Sequence, residues 1–358
     1  MDFRTLELNI SQLSRCLSKS KFNKYADSRK ADYQKALVHL LDLIQKENLS
    51  TLNADQLADK KKIVDFIFES IQYLDNSTLT IIPYEIVYCL ENALNEWIPD
   101  NKFIVVTSLS NEILSYSING NLALNKPIYQ LIESQYNINF EYKLIQITLP
   151  RYYVHDYLAN AVLYHELGHF IDFHFNISEA IVNDLVLTGT LDFKNRELNQ
   201  KIYNHYCEYF ADIFAAQYIG KASNYFLDYI AHKAPDSSTH PATDKRLDKV
   251  DKFLNNVNSD EEIENIKKYT LARSGFNLEI KHIELPIDDF FNLIPYEITN
   301  QKDLHSIFLT GWNTWLENPN KLKTDFDNDT AYKIINNLIE KSISNYIVVD
   351  SWNKQLCI

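Results

Sequence analysis

The sequence reads YHELGHFID at residues 164–172. Four residues make just over one turn of an α-helix, so His165 and His169 would project from the same face. Two imidazoles in that arrangement can bind one zinc ion. Glu166 would lie about 100° around the helix, where it can activate a water molecule beside the metal without joining the ligands. The spacing therefore predicts a helix that carries two metal ligands and a general base.

A glycine, Gly168, lies between the two histidines. Glycine inside a helix costs about 1 kcal/mol of stability relative to alanine. We therefore expect another helix or strand to approach this turn closely, and a tolerant surface position is the alternative. The apolar neighbours Leu167 and Phe170 favour a largely buried helix.

A zinc ion in a hydrolase has three protein ligands and one open position, so a third ligand must come from elsewhere in the chain. The candidate is Glu208, in the segment YCEYFAD. Asp212 is one turn later on the same face and could accept a hydrogen bond from the second ring nitrogen of a liganding histidine. Ala211 and Ala215 are small enough for this helix to pack closely against the histidine helix. His205 is an alternative ligand.

The third segment of interest reads SSTHPATDKRL at residues 237–247. Pro241 could begin a helix, so His240 would be presented from a loop. A cation or hydrogen-bond donor beside the metal would stabilise the oxyanion of a tetrahedral intermediate. His240, Arg246 or a tyrosine could supply that donor. By itself, His240 could equally be a surface histidine.

Together these segments resemble the gluzincin metallopeptidases, and most closely the HtpX-like and CAAX prenyl protease group. That group carries H-E-x-G-H, then E-x-x-A-D on a second helix, then S/T-H-P with an arginine six residues after the histidine. The matching positions are 165–169, 208–212 and 239–241, with Arg246. The resemblance covers about residues 140–255. It implies a zincin-type core with Glu208 as the third ligand. It also implies that Asp212 accepts a hydrogen bond from a liganding histidine and that His240 lies near the cleaved carbonyl.

Two other groups share part of the pattern. With Asp172, the first motif also resembles that of lethal-factor-like toxin proteases. ImmA-like regulatory proteases share H-E-x-x-H and a downstream glutamate helix.

Gluzincins bind substrate along the edge of a sheet beside the active helix, and the predicted strand 140–149 is the candidate edge. An interior position for that strand is the alternative.

The composition limits the classes of partner. A net charge of −13 disfavours binding to nucleic acid and to anionic membrane surfaces. The six glycines form no nucleotide-binding pattern. No apolar run approaches the ~18–20 residues that span a bilayer, and the first residues do not form a secretory signal. The four cysteines are widely spaced and predict neither disulfides nor a thiolate zinc site. We expect a cytoplasmic protein, with secretion independent of a signal peptide left open.

The pattern along the chain predicts an α+β fold that is mostly helical, in three regions. These are a helical region at 1–100, the metallopeptidase core at 101–255 and a mixed α/β region at 256–358. The predicted helices are 31–46, 55–74, 83–97, 155–175, 198–219, 224–232, 241–254, 304–316 and 330–344. The predicted strands are 103–106, 140–149 and 276–285.

The predicted function is zinc-dependent cleavage of peptide bonds, with one zinc ion per chain and a protein or peptide substrate. Glu166 takes a proton from the attacking water and returns it to the leaving amine. The alternative is a regulatory or partner-binding module that cleaves nothing, or only one dedicated protein.

Overall fold

A computed structural model describes residues 2–78, 83–100, 102–113, 115–257, 259–317, 322 and 326–356. These residues form sixteen α-helices and one three-stranded sheet, so the predicted α+β, mostly helical class is confirmed. The helices before the sheet are α1 (Phe3–Ser20), α2 (Ser28–Ile44), α3 (Ala54–Asn76) and α4 (Tyr84–Trp97). The strands are β1 (Phe103–Ser110), β2 (Ser117–Asn119) and β3 (Lys143–Pro150), and α5 (Asn121–Leu124) and α6 (Lys126–Tyr136) lie between β2 and β3.

The remaining helices follow β3. They are α7 (Tyr157–Asn160), α8 (Leu163–Phe175), α9 (Ile177–Leu187), α10 (Arg196–Ile219), α11 (Ala222–Ile230), α12 (Thr243–Leu254), α13 (Glu261–Ser274), α14 (Asp288–Phe291), α15 (Gln301–Glu317) and α16 (Asn328–Leu356). Each helix predicted from the periodicity is present, with ends shifted by no more than three residues, except that 155–175 is divided into α7 and α8 and that α16 continues twelve residues beyond the predicted end at 344. The sequence did not single out α1, α5, α6, α9, α13 or α14.

The sheet separates two hydrophobic clusters. Side chains alternate along β1, so Ile104 and Val106 face the cluster made with α1–α3 and α6, while Val105 faces the cluster around α8. β3 does the same with Leu144 on one face and Ile145 on the other. The cluster around α8 includes residues from α4 to α16, so the packing does not separate the chain at residue 100 or 255.

The strand order corrects one prediction. β3 begins at Lys143 rather than at residue 140 and is the central strand, parallel to β1 and antiparallel to β2. β1 pairs with β3 along its whole length and β2 pairs with Gln146, Ile147 and Thr148 on the other side, so β3 is an interior strand and not the candidate edge. The edge strand that contacts α8 is β2, whose Ser117 lies opposite Thr148. A strand of three residues is too short to give an alternation that the sequence could reveal.

The strand predicted at 276–285 is also wrong, because this segment has no regular secondary structure. It runs over the helices, and their polar groups take its backbone donors. The amide of Lys281 donates to the Gln217 carbonyl at 2.7 Å, and the amide of Ile283 donates to the Ser306 hydroxyl at 2.9 Å. Since helix ends and side chains satisfy these groups, no neighbouring strand is needed.

Two expectations from composition can be compared with the described residues. Cys16, Cys89 and Cys207 are free thiols, as predicted, and Cys357 lies outside the described residues. None of the described helices combines the length and the apolar character that crossing a membrane requires.

Candidate metal centre

The site forms where α8 and α10 cross at very short range. A Cβ atom at Gly168 would lie 3.1 Å from Phe214 Cβ and closer still to the backbone of Ala211. Real Cβ atoms almost never come so near another heavy atom, so the glycine is required by the approach of the second helix. α10 ends at Gly220, which has a positive φ of 55° and is the C-cap residue of the helix.

Three side chains bring potential metal ligands together at this crossing. One donor atom each from His165, His169 and Glu208 lies within 4.8 Å of the other two. The Nε2 atoms of both histidines are 3.5 Å from the Glu208 carboxylate, one from each oxygen. Two ligands at about 2.0–2.1 Å from a tetrahedral ion are about 3.3–3.4 Å apart, so these separations fit zinc.

The burial of Glu208 also supports a metal ion at this position. Its side chain is 10% exposed, and Oε2 is a buried atom that accepts no well-aligned hydrogen bond from the described residues. The nearest cation to this oxygen is Arg246, whose Nη1 is 3.1 Å away. A buried carboxylate oxygen without such a bond is costly, and a metal ion would satisfy it.

Asp212 lies behind His165, one helical turn after Glu208. Its Oδ1 is 2.8 Å from His165 Nδ1, which leaves the Nε2 of the same ring directed at the Glu208 carboxylate. A carboxylate in this position fixes the tautomer and the orientation of a metal-binding imidazole. Asp212 thus lies within hydrogen-bond distance of the His165 ring.

Arg246, on α12, is a buried partner of the acidic residues. Its Nε and Nη2 atoms donate to the two carboxylate oxygens of Asp212, each at 2.7 Å. Nη1 forms the ion pair with Glu208. All three nitrogens are thus directed at carboxylates, and the side chain is only 9% exposed. This geometry does not match the oxyanion contact expected for Arg246, and indicates instead that it positions the ligand helix.

The charged side chains of the site shift one another's pKa values. Burial alone would lower the pKa of His165, but Asp212 and Glu208 outweigh it and raise that pKa to about 10. Burial and the neighbouring His165 lower the pKa of His169 to about 3. Burial opposes ionisation of Glu208, yet His165 and Arg246 hold the pKa of this carboxyl well below its usual range. The site without metal is thus a cluster of two carboxylates balanced by cations.

Glu166 lies beside the metal ligands and is partly buried. Burial raises the pKa of its carboxyl and the neighbouring Glu208 adds to the rise, while His165, Arg246 and the nearby backbone N–H of Ile118 in β2 partly offset it. The candidate base therefore lies beside the edge strand. A carboxyl with a raised pKa is a better proton acceptor at neutral pH.

His240 reaches the site from the loop before α12. Its side chain is 59% exposed, and Nε2 is 3.5 Å from Glu208 Oε1. The Ser237 hydroxyl accepts a hydrogen bond from the His240 amide at 2.8 Å, and the Thr239 hydroxyl is 2.8 Å from Nδ1. The loop therefore holds one ring nitrogen toward the ligands while the side chain stays accessible. α12 itself begins at Thr243, two residues after the predicted start.

Two residues considered from the sequence lie away from the ligands. His205, the alternative ligand, has its Nε2 atom 2.9 Å from the Ser237 carbonyl oxygen and so anchors the His240 loop to α10. Asp172 accepts a hydrogen bond from the amide of Ser178 at 2.8 Å and so caps the start of α9. Neither belongs to the group that could hold a metal ion.

The contribution of Ile118 was not visible in the sequence. Its part in the site depends on a backbone group, and the short strand β2 carries no motif. No family model matches the chain, and comparison with curated proteins and with solved structures found no match. The geometry of the site therefore carries the functional inference.

Proposed function

We propose that this protein is a zinc-dependent endopeptidase in which Glu166 is the general base. The observation that carries the proposal is the convergence of His165, His169 and Glu208 on one point, within 4.8 Å of one another. Glu166 is on the same helix turn, with its carboxyl beside the edge strand. Three ligands and an adjacent base are the components that a hydrolytic zinc site needs.

The ligand set favours zinc among the common divalent ions. Two imidazoles and one carboxylate suit zinc, whereas calcium and magnesium prefer sites built of oxygen alone. When bound, zinc would polarise the substrate carbonyl and make water more acidic. His165 and His169 would bind through Nε2, because these atoms face Glu208.

Glu166 performs the proton transfers in this proposal. Its carboxylate accepts a proton from the attacking water as the new C–O bond forms at the substrate carbonyl. The same proton then passes to the leaving amine nitrogen as the C–N bond breaks. The raised pKa of Glu166 suits both steps, because the group must accept and then release a proton near neutral pH.

His240 and β2 supply the substrate contacts. His240 is exposed and beside Glu208, so its ring can donate a hydrogen bond to the developing oxyanion. The free edge of β2 faces away from β3 and can pair with an extended peptide. A peptide bound there would pass Glu166, since that carboxyl lies beside Ile118 of β2.

The test is Glu166→Gln in the full chain. The change keeps the shape of the side chain and removes the base, so we expect one zinc ion per chain and a loss of turnover of about 10²–10⁴-fold. Zinc is measured by elemental analysis, and cleavage is measured on a proteome-derived peptide library. Glu197→Gln, at an exposed position in the first turn of α10, is the matched control and should keep both properties. Full activity in Glu166→Gln would refute the assignment.

The same experiment separates the alternative function. One zinc ion per chain with no cleavage of any library peptide by the unaltered protein would favour a regulatory or partner-binding role. Cleavage of one protein alone would favour a dedicated protease. Three free thiols among the described residues fit the reducing cytoplasm that we propose as the setting.

A further inference from the structure

A pocket lined mainly by aromatic side chains lies just beyond the end of β3. Its volume is about 490 Å³, which is within the usual size of sites that hold a small organic group. The walls come from the segment after β3 and from α7, α11, α15 and α16. Seven of the eleven lining residues are aromatic, including Tyr153, Tyr229, Trp315 and Tyr332.

The charged groups in this pocket are two carboxylates. The Tyr332 hydroxyl donates one hydrogen bond shared between the two carboxylate oxygens of Asp156, at 2.9 and 3.0 Å, and the Ala159 amide donates another. No described Lys or Arg pairs with Asp156, and burial raises the pKa of this carboxyl. Asp228 lies at the rim with its side chain 51% exposed, and it pairs with His232 at 2.9 Å. The pocket is thus acidic, and its described lining contains no Lys or Arg.

The aromatic walls and the acidic charge of the pocket favour a cationic ligand. The face of an aromatic ring attracts a cation, and a carboxylate strengthens that attraction. The charge of −13 on the whole chain also draws basic molecules to its surface. An ammonium or guanidinium group on an apolar stem matches this pocket, because the stem packs on the rings and the charge meets the carboxylates.

The pocket is connected to the candidate metal centre through β2. Tyr116, directly before β2, packs edge-on against Phe226 in the pocket wall, with ring centroids 5.8 Å apart. The backbone N–H of Ile118, two residues later, lies close enough to Glu166 to lower the pKa of its carboxyl. Two residues of extended chain span about 7 Å. A peptide lying along β2 would therefore bring a side chain close to the pocket within about two residues of the bond beside Glu166.

The geometry points to a subsite: the aromatic pocket binds the Lys or Arg side chain of a peptide, about two residues from the cleaved bond. This inference rests on the proposed peptidase function for its position relative to cleavage. Binding of the cationic side chain itself can be measured separately.

The binding experiment uses the full chain and tryptophan fluorescence, because Trp312 and Trp315 line the pocket. The probes are N-acetyl-arginine amide and its neutral isostere N-acetyl-citrulline amide. We expect the arginine probe to bind at least about fivefold more tightly. Asp228→Asn should remove most of that preference. Asp251→Asn is the matched control, since its side chain is 50% exposed and lies outside the pocket. Equal binding of the two probes would overturn the inference.

A cleavage experiment distinguishes this inference from the proposed function. Library peptides with Arg or Lys two residues from the cleaved bond should be favoured over citrulline peptides by about five- to tenfold in kcat/KM. Asp228→Asn should lower that ratio through KM. Cleavage without any basic preference would overturn the subsite and leave the peptidase standing. An arginine-selective probe signal with no cleavage of any peptide would support the pocket and overturn the peptidase.

Discussion

Gly168 packs against the backbone of Ala211 so closely that a Cβ atom at Gly168 would lie 2.8 Å from Ala211 Cα. The atoms in the way belong to the backbone, so no rotation of a side chain can make room. This single contact sets the separation of α8 and α10, and therefore the separation of His169 from Glu208. Because Gly168 has no Cβ atom, α8 and α10 can approach closely enough to bring the candidate metal ligands together.

The first prediction is that Gly168→Ala is destabilising although alanine is the better helix former. Propensity alone would stabilise the helix by about 1 kcal/mol, whereas overpacking costs about 1–3 kcal/mol. The change should also weaken zinc binding, because α10 must shift to accommodate the new methyl group. Urea unfolding and zinc titration measure the two effects. A more stable variant with unchanged zinc affinity would show that the helices do not meet as described.

The ligand set could be anticipated from the sequence because helical geometry is local. The spacing of His165, His169 and Glu166 fixes their directions once the segment is helical. Gly168 and Ala211 then indicated a close crossing, and the structure has one. Such features need only the period of the helix and the size of the side chains.

The strand order and the partners of Arg246 could not be anticipated, because they depend on contacts between segments that are far apart in the chain. The central position of β3 follows from β2, which precedes it by more than twenty residues and is itself only three residues long. Arg246 was one of three candidates for the oxyanion donor, beside His240 and a tyrosine. The spacing places Arg246 near the site but does not reveal that Asp212 and Glu208 bind its guanidinium. Which partner a long side chain meets is decided by tertiary packing.

The second prediction concerns His240. Replacing it with alanine should lower kcat by about 10²–10³-fold, the usual cost of losing an oxyanion donor, while KM and zinc content change little. The loop should remain in place, because the Asn204 amide donates to the Ser238 carbonyl and His205 contacts the Ser237 carbonyl. His39→Ala, at an exposed position on α2, is the control. Loss of zinc in the His240 variant would instead make this residue a ligand.

The third prediction is a dependence of stability on pH that arises from His305. This ring is fully buried beside the Tyr164 hydroxyl, 2.6 Å from Nδ1, and burial lowers its pKa to about 3. The unfolded chain has a histidine pKa of about 6.5, so below that pH the unfolded state binds the extra proton. His305 therefore leaves the free energy of unfolding at its full value above about pH 6.5 and lowers it as the pH decreases toward 3.

Between pH 7 and pH 5, His305 should therefore remove about 2 kcal/mol from the free energy of unfolding. Urea unfolding of the metal-free protein at the two pH values measures the change, so that release of metal does not contribute. His305→Gln cannot titrate, and its loss of stability over this interval should be smaller by that amount. An identical loss in both proteins would mean that the ring is not buried in its neutral form.

The fourth prediction separates the structural and metal-binding roles of Asp212. This carboxylate holds Arg246 through two hydrogen bonds and faces His165 Nδ1, and all three side chains are buried. Asp212→Asn leaves a buried guanidinium with one fewer anion, which should cost about 3–5 kcal/mol of stability. The variant should also lose about 10–100-fold in zinc affinity, because the imidazole is no longer fixed.

The exposed pair of Lys221 and Asp251, at 3.0 Å, provides the comparison. Asp251→Asn should change stability by no more than about 1 kcal/mol, since solvent screens that pair. Arg246→Lys should weaken the fold and leave zinc affinity nearer to its original value, because lysine keeps the charge but cannot donate in parallel to Asp212. If Asp212→Asn and Arg246→Lys lowered zinc affinity equally, Asp212 would act through the arginine rather than through His165.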